Sequence, residues 1–414
     1  MDIDQSDTNF LLTRFSVLII IYAFSLQILP NSKLPIAVFL LGMSSSLYKT
    51  KAFSWIVKKF IQKDINSDRQ DLINAVQSFQ MYKDRALGWN KRKYGNLKRI
   101  SYDDYIQAKK IGYYDHLTKT DKAIESNAQL ANAIAKQTIQ NYGITDLEIR
   151  SAVYKDNSRV IESLCHFARD WTSMGDVELK PLFDYILNNL NKTIPGKEER
   201  SKTVVLVPGS GLGRIAHELS LLTPKFDAVH TIEFSYLMHL CNEFVYSKTQ
   251  SSESYKIHPF IHTYSHHVSE ENQLRSVEFK TQPTKPQNLT TNYGDFRKFQ
   301  IPNLDKYDNV VIVTAFFIDT AQNLFEYFDS IERLIGEKSG TWINIGPLKY
   351  GTAPKVEFSL EELRKLRKLR GWKDLDEPKP YGSEISGYLT DTKGLWQGYY
   401  GLGRWTSSFT SKKK

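Results

Sequence analysis

The chain has 414 residues, 41% hydrophobic and 13% aromatic, enough for one large domain or two to three ordinary ones with a packed core. Its two cysteines, Cys165 and Cys241, exclude a disulfide framework and a cysteine-rich metal site, and they fit a reducing compartment. The net charge of +9 sits in one stretch, residues 49–119, with 16 Lys/Arg against 7 Asp and no Glu; this is a solvated helical surface or faces a phosphate-rich membrane or an acidic partner. No RNA-binding signature or zinc-finger spacing accompanies it, so no nucleic acid partner is expected.

At the N-terminus two apolar runs, residues 15–29 and 34–48, are split by Pro30, Asn31, Ser32 and Lys33. Each is shorter than the roughly 20 residues that span a bilayer. Together they are expected to form a helical hairpin dipping into one leaflet, one irregular span, or a hydrophobic arm packed on the soluble part. Asp2, Asp4, Asp7 and Arg14 precede the runs, while Lys49, Lys51, Lys58, Lys59 and Lys63 follow. That asymmetry keeps the main domain cytoplasmic if residues 15–48 contact a membrane. The acidic start fits poorly with a cleaved signal peptide.

Residues 1–50 are thus read as a hydrophobic segment and 51–195 as a helical region. In the latter, "DLINAVQSFQMYKDRALGWNKRKY" and "TDKAIESNAQLANAIAKQTIQNYG" carry apolar residues near i, i+3, i+4 and i+7, and Gly143 suits a helix end. "SRVIESLCHFARDWTSMG" and "VELKPLFDYILNNLNK" add two more helices.

From residue 196 to 414 strands and helices alternate. "TVVLVPG", "DAVHTIE", "LTTNYGDF", "YDNVVIVTAFF" and "TWINIG" read as five strands. Helices are expected in "LGRIAHELSLL", "FSYLMHLCNEFVYSK", residues 320–335 and "SLEELRKLRKLRG", whose basic face reads as solvated. Residues 251–290 look like an inserted polar loop, and two β-like segments near 381–390 and 397–409 suggest a closing hairpin-like pair. The alternation implies a doubly wound α/β sheet of mainly parallel strands, a Rossmann-like fold.

The first strand runs into Gly209, Gly211 and Gly213. This G-x-G-x-G lacks the third spacing of the dinucleotide fingerprint, since Arg214 is not glycine, and no Walker loop is present. Glu233 ends the second strand, 20 residues after Gly213, where a carboxylate can accept from both hydroxyls of a ribose. Asp295 and Phe296 end the third, suited to an adenine amine and face. A glycine loop, a ribose acid and an adenine acid in that order are the layout of an S-adenosylmethionine site. Asp319 follows the fourth strand. It can accept from one imidazole nitrogen and fix the tautomer of the other, or it can be the N-cap of the next helix.

"VLVPGSGLGRIAHEL", "HPFIHTYS", "GDF", "FFIDTAQN", "WINIGPLKY" and "EFSLEEL" together resemble the carnosine N-methyltransferase family, as do "FQMYKDRALGWNKRKY" and "CHFARDW" upstream. The resemblance covers roughly residues 70–414 and leaves out the hydrophobic segment. It implies a class I S-adenosylmethionine-dependent methyltransferase that methylates a histidine imidazole in a dipeptide. Carried over, Arg169 reaches the cofactor's carboxylate, and His166 stands where the family usually has glutamine. Gly209, Glu233, Asp295 and Phe296 line the cofactor, with Gly211 in the same loop. Asp319 engages the imidazole as the catalytic residue, and of Tyr399 and Tyr400, Tyr400 better matches an aromatic that binds the acceptor. Two positions depart on the acceptor side: Gly351 stands where the family has a substrate-binding histidine, and Gly398 where it has an aromatic.

His258, His262, His266 and His267 cluster, but no acid or thiol stands at ligand spacing, so no metal is expected. A homodimer is compatible with these readings. The rivals are a methyltransferase for another small molecule or a protein, and a membrane-tethered module that binds S-adenosylmethionine without catalysis.

Overall fold

The computed structural model describes residues 5–29, 32–48, 67–154, 157–247, 254–282, 284–351, 353–376 and 385–410. Pro30, Asn31, the five lysines that follow the apolar runs, and residues 381–384 of the penultimate β-like segment lie outside them. The chain divides into two compact units, residues 1–77 with 138–156, and residues 78–137 with 157–414.

In the first unit the two apolar runs form helices Gln5–Ile28 and Leu34–Tyr48. They meet as a hairpin: the Tyr22 and Phe39 rings lie 5.2 Å apart, and Gly42 presses on Leu18, where a Cβ would come within 2.5 Å of a methyl. The hydroxyls of Ser16, Ser25 and Ser46 bond back to the carbonyls of Leu12, Ile21 and Gly42. The apolar side chains face outward all the same, with Ile20 68% and Leu41 70% exposed. Among the described residues no helix is long and apolar enough to cross a membrane. Elsewhere in this unit Arg69 clamps Glu148 through two bonds, and Glu148 completes a capping box with Thr145.

The second unit is built on a seven-stranded sheet of order β5-β2-β1-β6-β7-β11-β8. β1 (Thr203–Pro208), β2 (Ala228–Glu233), β5 (Leu289–Tyr293), β6 (Asn309–Ala315) and β7 (Ser339–Gly346) are parallel. β11 (Gly403–Thr410) runs antiparallel between β7 and the short β8 (Lys373–Asp374). The central strands are buried on both faces because side chains alternate between two cores. Val204, Leu206, Val310, Ile312 and Trp342 pack with Phe328, Ile331 and Leu334 of helix Leu324–Ile335. Val205, Val207, Val311, Ile343 and Ile345 pack with Leu182, Ile186 and Leu190 of helix Asp176–Thr193.

The five parallel strands match the sequence expectation, and three local readings need correction. Residues 251–290 hold an antiparallel pair, β3 (Ser254–Ile257) with β4 (Val277–Lys280), and a short helix Glu270–Leu274. The helix expected from residue 320 starts at Leu324, because Asn323 caps it and a 3-10 turn, Ile318–Thr320, precedes it. The closing segments pair only in part: β9 (Ile385–Ser386) and β10 (Tyr400–Gly401) form the expected antiparallel pair, while β11, the rest of the second segment, joins the main sheet.

Candidate active site

The site lies at the carboxyl ends of the parallel strands, where open α/β sheets bind ligands. The turn after β1 reverses the chain through Gly209 (φ +60°), Gly211 (φ +53°) and Gly213 (φ +79°). Only glycine holds that conformation without strain. At Gly209 there is also no room, since a Cβ would stand 2.1 Å from the Phe317 ring. Gly213 then caps helix Arg214–Leu221. Glu233, at the end of β2, is buried and accepts from the N–H of Gly211 at 2.9 Å and of Ser235 at 2.8 Å. Burial pushes its carboxyl up, against the pull of those two donors.

The facing wall is helix Arg159–Trp171, whose last turns present His166, Arg169 and Asp170, all buried. Arg169 donates from Nε to Glu178 at 3.1 Å and from Nη1 to Asp170 at 2.9 Å. Its guanidinium lies 4.6 Å over the Tyr388 ring and 5.6 Å from that of Phe316. His166, Arg169, Asp170, Phe316 and Tyr388, with Gly209, Gly211 and Arg214, line one pocket. Among the described residues, buried Ser210 Oγ has no hydrogen-bond partner, and His166 Nδ1 stands 3.9 Å from Asp170 Oδ2, too far for a good bond. A buried polar atom left unbonded is costly unless a ligand supplies the bond. A cation beside an anion, Arg169 to donate and Asp170 to accept, complements the carboxylate and ammonium of an amino acid, so the residues fit the methionine end of S-adenosylmethionine.

Glu178, which the sequence reading missed, ties this wall to the C-terminal segment. Its Oε2 accepts from Leu389 N–H at 3.0 Å as well as from Arg169, and its Oε1 accepts from Thr390 N–H at 2.9 Å. Leu389 holds a left-handed conformation (φ +57°), and Tyr388 Oη reaches to 3.3 Å from His166 Nε2.

Asp295 and Phe296 stand apart from the lining of this pocket. Asp295 caps the turn Phe296–Lys298 and is held by Arg297 through bonds of 2.7 and 3.0 Å. Burial alone would raise its carboxyl, and the Arg297 bonds bring it below the usual range. Phe296 is buried edge-on to Phe317, the ring that closes over Gly209.

Beyond β6 the backbone turns at Phe316, a non-glycine residue in left-handed conformation (φ +51°). That costs roughly 1–2 kcal/mol, and such strain gathers at functional sites. Asp319 follows, buried, its Oδ2 accepting the Lys349 N–H at 2.9 Å. It caps no helix; Asn323 does. Burial holds the Asp319 carboxyl above the usual range, opposed by the Lys349 bond. Lys349 Nζ donates to Tyr400 Oη at 3.2 Å, and Tyr400 meets the Phe316 ring edge-on at 6.1 Å. Phe316 thus stands between Tyr388, over the Arg169 guanidinium, and Tyr400, which accepts from Lys349. Gly351 has open space around it, while a Cβ on Gly398 would strike the Trp396 ring. Among the described residues no cluster of three or more His, Cys, Asp or Glu could hold a metal.

The profile of the carnosine N-methyltransferase family matches residues 147–411. An uncharacterized protein of Saccharomyces cerevisiae is 34% identical over 82% of this chain and 82% of its own length. The carnosine N-methyltransferase of Schizosaccharomyces pombe is 28% identical over 83% of this chain and 96% of its own. That of Rattus norvegicus is 29% identical over 69% and 73%. Among solved structures, a methyltransferase from Aquifex aeolicus overlays on 61% of this chain and 99% of its own at 13% identity and a TM-score of 0.31. The chain belongs to the carnosine N-methyltransferase family: it is a class I N-methyltransferase with S-adenosylmethionine as methyl donor.

Proposed function

We propose that the enzyme methylates an imidazole nitrogen of carnosine or a similar histidine-containing dipeptide, giving an anserine-type product. The observation that carries this is the buried Asp319 carboxylate, which accepts the Lys349 N–H while the Lys349 ammonium reaches Tyr400, the ring set edge-on to Phe316. S-adenosylmethionine supplies an electrophilic methyl group. Arg169 and Asp170 hold its amino-acid end, with His166 and the Gly209–Gly211 turn, while Glu233, Asp295 and Phe296 serve its adenosine end. We assign the acceptor and adenosine residues to the domain 196–414 and the residues for the methionine end, His166, Arg169 and Asp170, to the preceding region 51–195.

The acceptor imidazole is largely neutral at pH 7, its pKa being about 6.5. Asp319 accepts the N–H of one ring nitrogen and so turns the lone pair of the other toward the methyl group. The donor, held by Arg169, Asp170 and Glu233, would supply the methyl to that lone pair, its C–S bond breaking with the electron pair kept by sulfur. Positive charge spreads over the ring, where Asp319 stabilises it, and the ring N–H proton then passes to solvent. Tyr388, Tyr400 and Phe316 exclude water. Incubation with methyl-labelled donor and carnosine tests the reading: methylated dipeptide by mass spectrometry supports it, while label on a protein or another amine favours the rival acceptors.

The N-terminal hairpin favours a second reading, membrane contact with the catalytic domain on the cytoplasmic side. Its outward apolar side chains, its self-bonded serines and the five lysines that follow residue 48 in sequence suit insertion into one leaflet. Deleting residues 1–48 should move the protein to the soluble fraction; retention with membranes refutes the contact.

A further inference from the structure

We infer that Lys349 recognises the carboxylate of the acceptor, making it the residue that selects a histidine-containing acid over an imidazole amine lacking that acid. The inference rests on the reading of Asp319 as the imidazole's partner. The Asp319 carboxylate holds the Lys349 backbone at 2.9 Å, so the side chain of Lys349 springs from the edge of the imidazole site. The ammonium turns back over the Tyr400 ring, 5.7 Å from its centroid, and donates to the Tyr400 hydroxyl.

An ammonium has three donors. Tyr400 takes one and brings no charge, and among the described residues no carboxylate forms an ion pair with Lys349. Gly351, two residues on, projects no side chain, and among the described residues nothing lies within 4 Å of where one would begin. A histidine residue carries its imidazole and its carboxylate on one short skeleton, so an acceptor whose ring sits on Asp319 places its acid close by. A carboxylate there receives a charge-assisted bond from Lys349 while its ring accepts orientation from Asp319.

The test compares carnosine with β-alanylhistamine, which is the same molecule without the carboxylate. Wild-type enzyme should show the lower KM for carnosine. Lys349→Met, which keeps length and removes charge, should raise KM for carnosine roughly 10-fold, change that for β-alanylhistamine far less, and so erase the preference. Lys349→Arg should restore it. Tyr400→Phe, which breaks the hydroxyl bond and leaves the cation, should weaken both acceptors alike. The inference is overturned if wild-type enzyme shows no preference, or if Lys349→Met shifts both acceptors equally, since Lys349 then acts only by holding Tyr400. If wild-type enzyme methylates neither compound while still binding S-adenosylmethionine, the imidazole reading of the site fails, and the role of Lys349 goes with it.

Discussion

Asp319 and Lys349 are joined across the ends of neighbouring strands β6 and β7 by one hydrogen bond, from backbone N–H to carboxylate. The bond fixes the carboxylate's direction with a main-chain group that no substitution of Lys349 except proline removes. An orienting acid needs that rigidity, because a catalytic group loses most of its effect when its geometry drifts.

Replacing that acid separates catalysis from stability. Asp319→Asn still offers an oxygen to Lys349 and should cost about 10²–10³-fold in kcat, with donor affinity unchanged by calorimetry. Because burial raises the native carboxyl, the native chain holds its proton more tightly than the unfolded chain does. Stability therefore falls as pH rises through the window between the unfolded and native values, and the penalty is fully present above the native one. Asp319→Asn should melt above the wild type at pH 7, and the gain should vanish below about pH 4. A variant that melts lower at pH 7 contradicts this account.

Gly209→Ala combines a left-handed backbone, costing about 1–2 kcal/mol, with a Cβ placed 2.1 Å from the Phe317 ring. The turn must shift. Donor binding should weaken by more than about tenfold in calorimetry, and the melting temperature should drop. Normal donor affinity would show that the turn tolerates displacement.

Glu178→Ala leaves Arg169 with one anion and frees the amides of Leu389 and Thr390. Breaking one partner of a buried pair costs about 3–5 kcal/mol. Hydrogen exchange should rise first at residues 386–390, before the β1 amides are affected. Uniform loss of protection across the sheet would mean that Glu178 supports the whole fold rather than this segment.

On the hairpin, Ile20→Glu with Leu41→Glu places charges at positions already facing outward. Melting behaviour should hardly change, since exposed substitutions usually lie within about 0.5 kcal/mol. Flotation with anionic vesicles, if the wild type floats, should be lost; a double variant that still floats would put the contact elsewhere.

The parallel sheet is legible in sequence because its strands are buried on both faces and read as unbroken apolar runs, and three positive-φ glycines announce the turn. The β3–β4 pair is hidden for the opposite reason: "SYKI" and "VEFK" are short and half polar. Asp319 and Asn323 both suit a helix start, and only the intervening 3-10 turn decides between them. Glu178 reads as one more charged residue near a helix N-terminus, and Lys349 as a surface lysine. Their partners lie 211 and 51 residues away, in contacts that local periodicity cannot encode. Asp170 was the exception in reach, since it adjoins Arg169 in "FARDW".

The tether from Glu178 to Leu389 has a consequence for how the enzyme comes into being. The residues it joins are separated by nearly the whole methyltransferase fold. A ribosome that has released the glycine turn and the first six strands has made a chain whose Arg169 still lacks Tyr388 over its guanidinium and whose Phe316 still lacks Tyr400 at its edge. Loops of that length close late. The nascent polypeptide therefore passes most of its synthesis without a finished donor pocket, and methylating capacity arrives together with the last fifteen or so residues of the site rather than growing with the sheet.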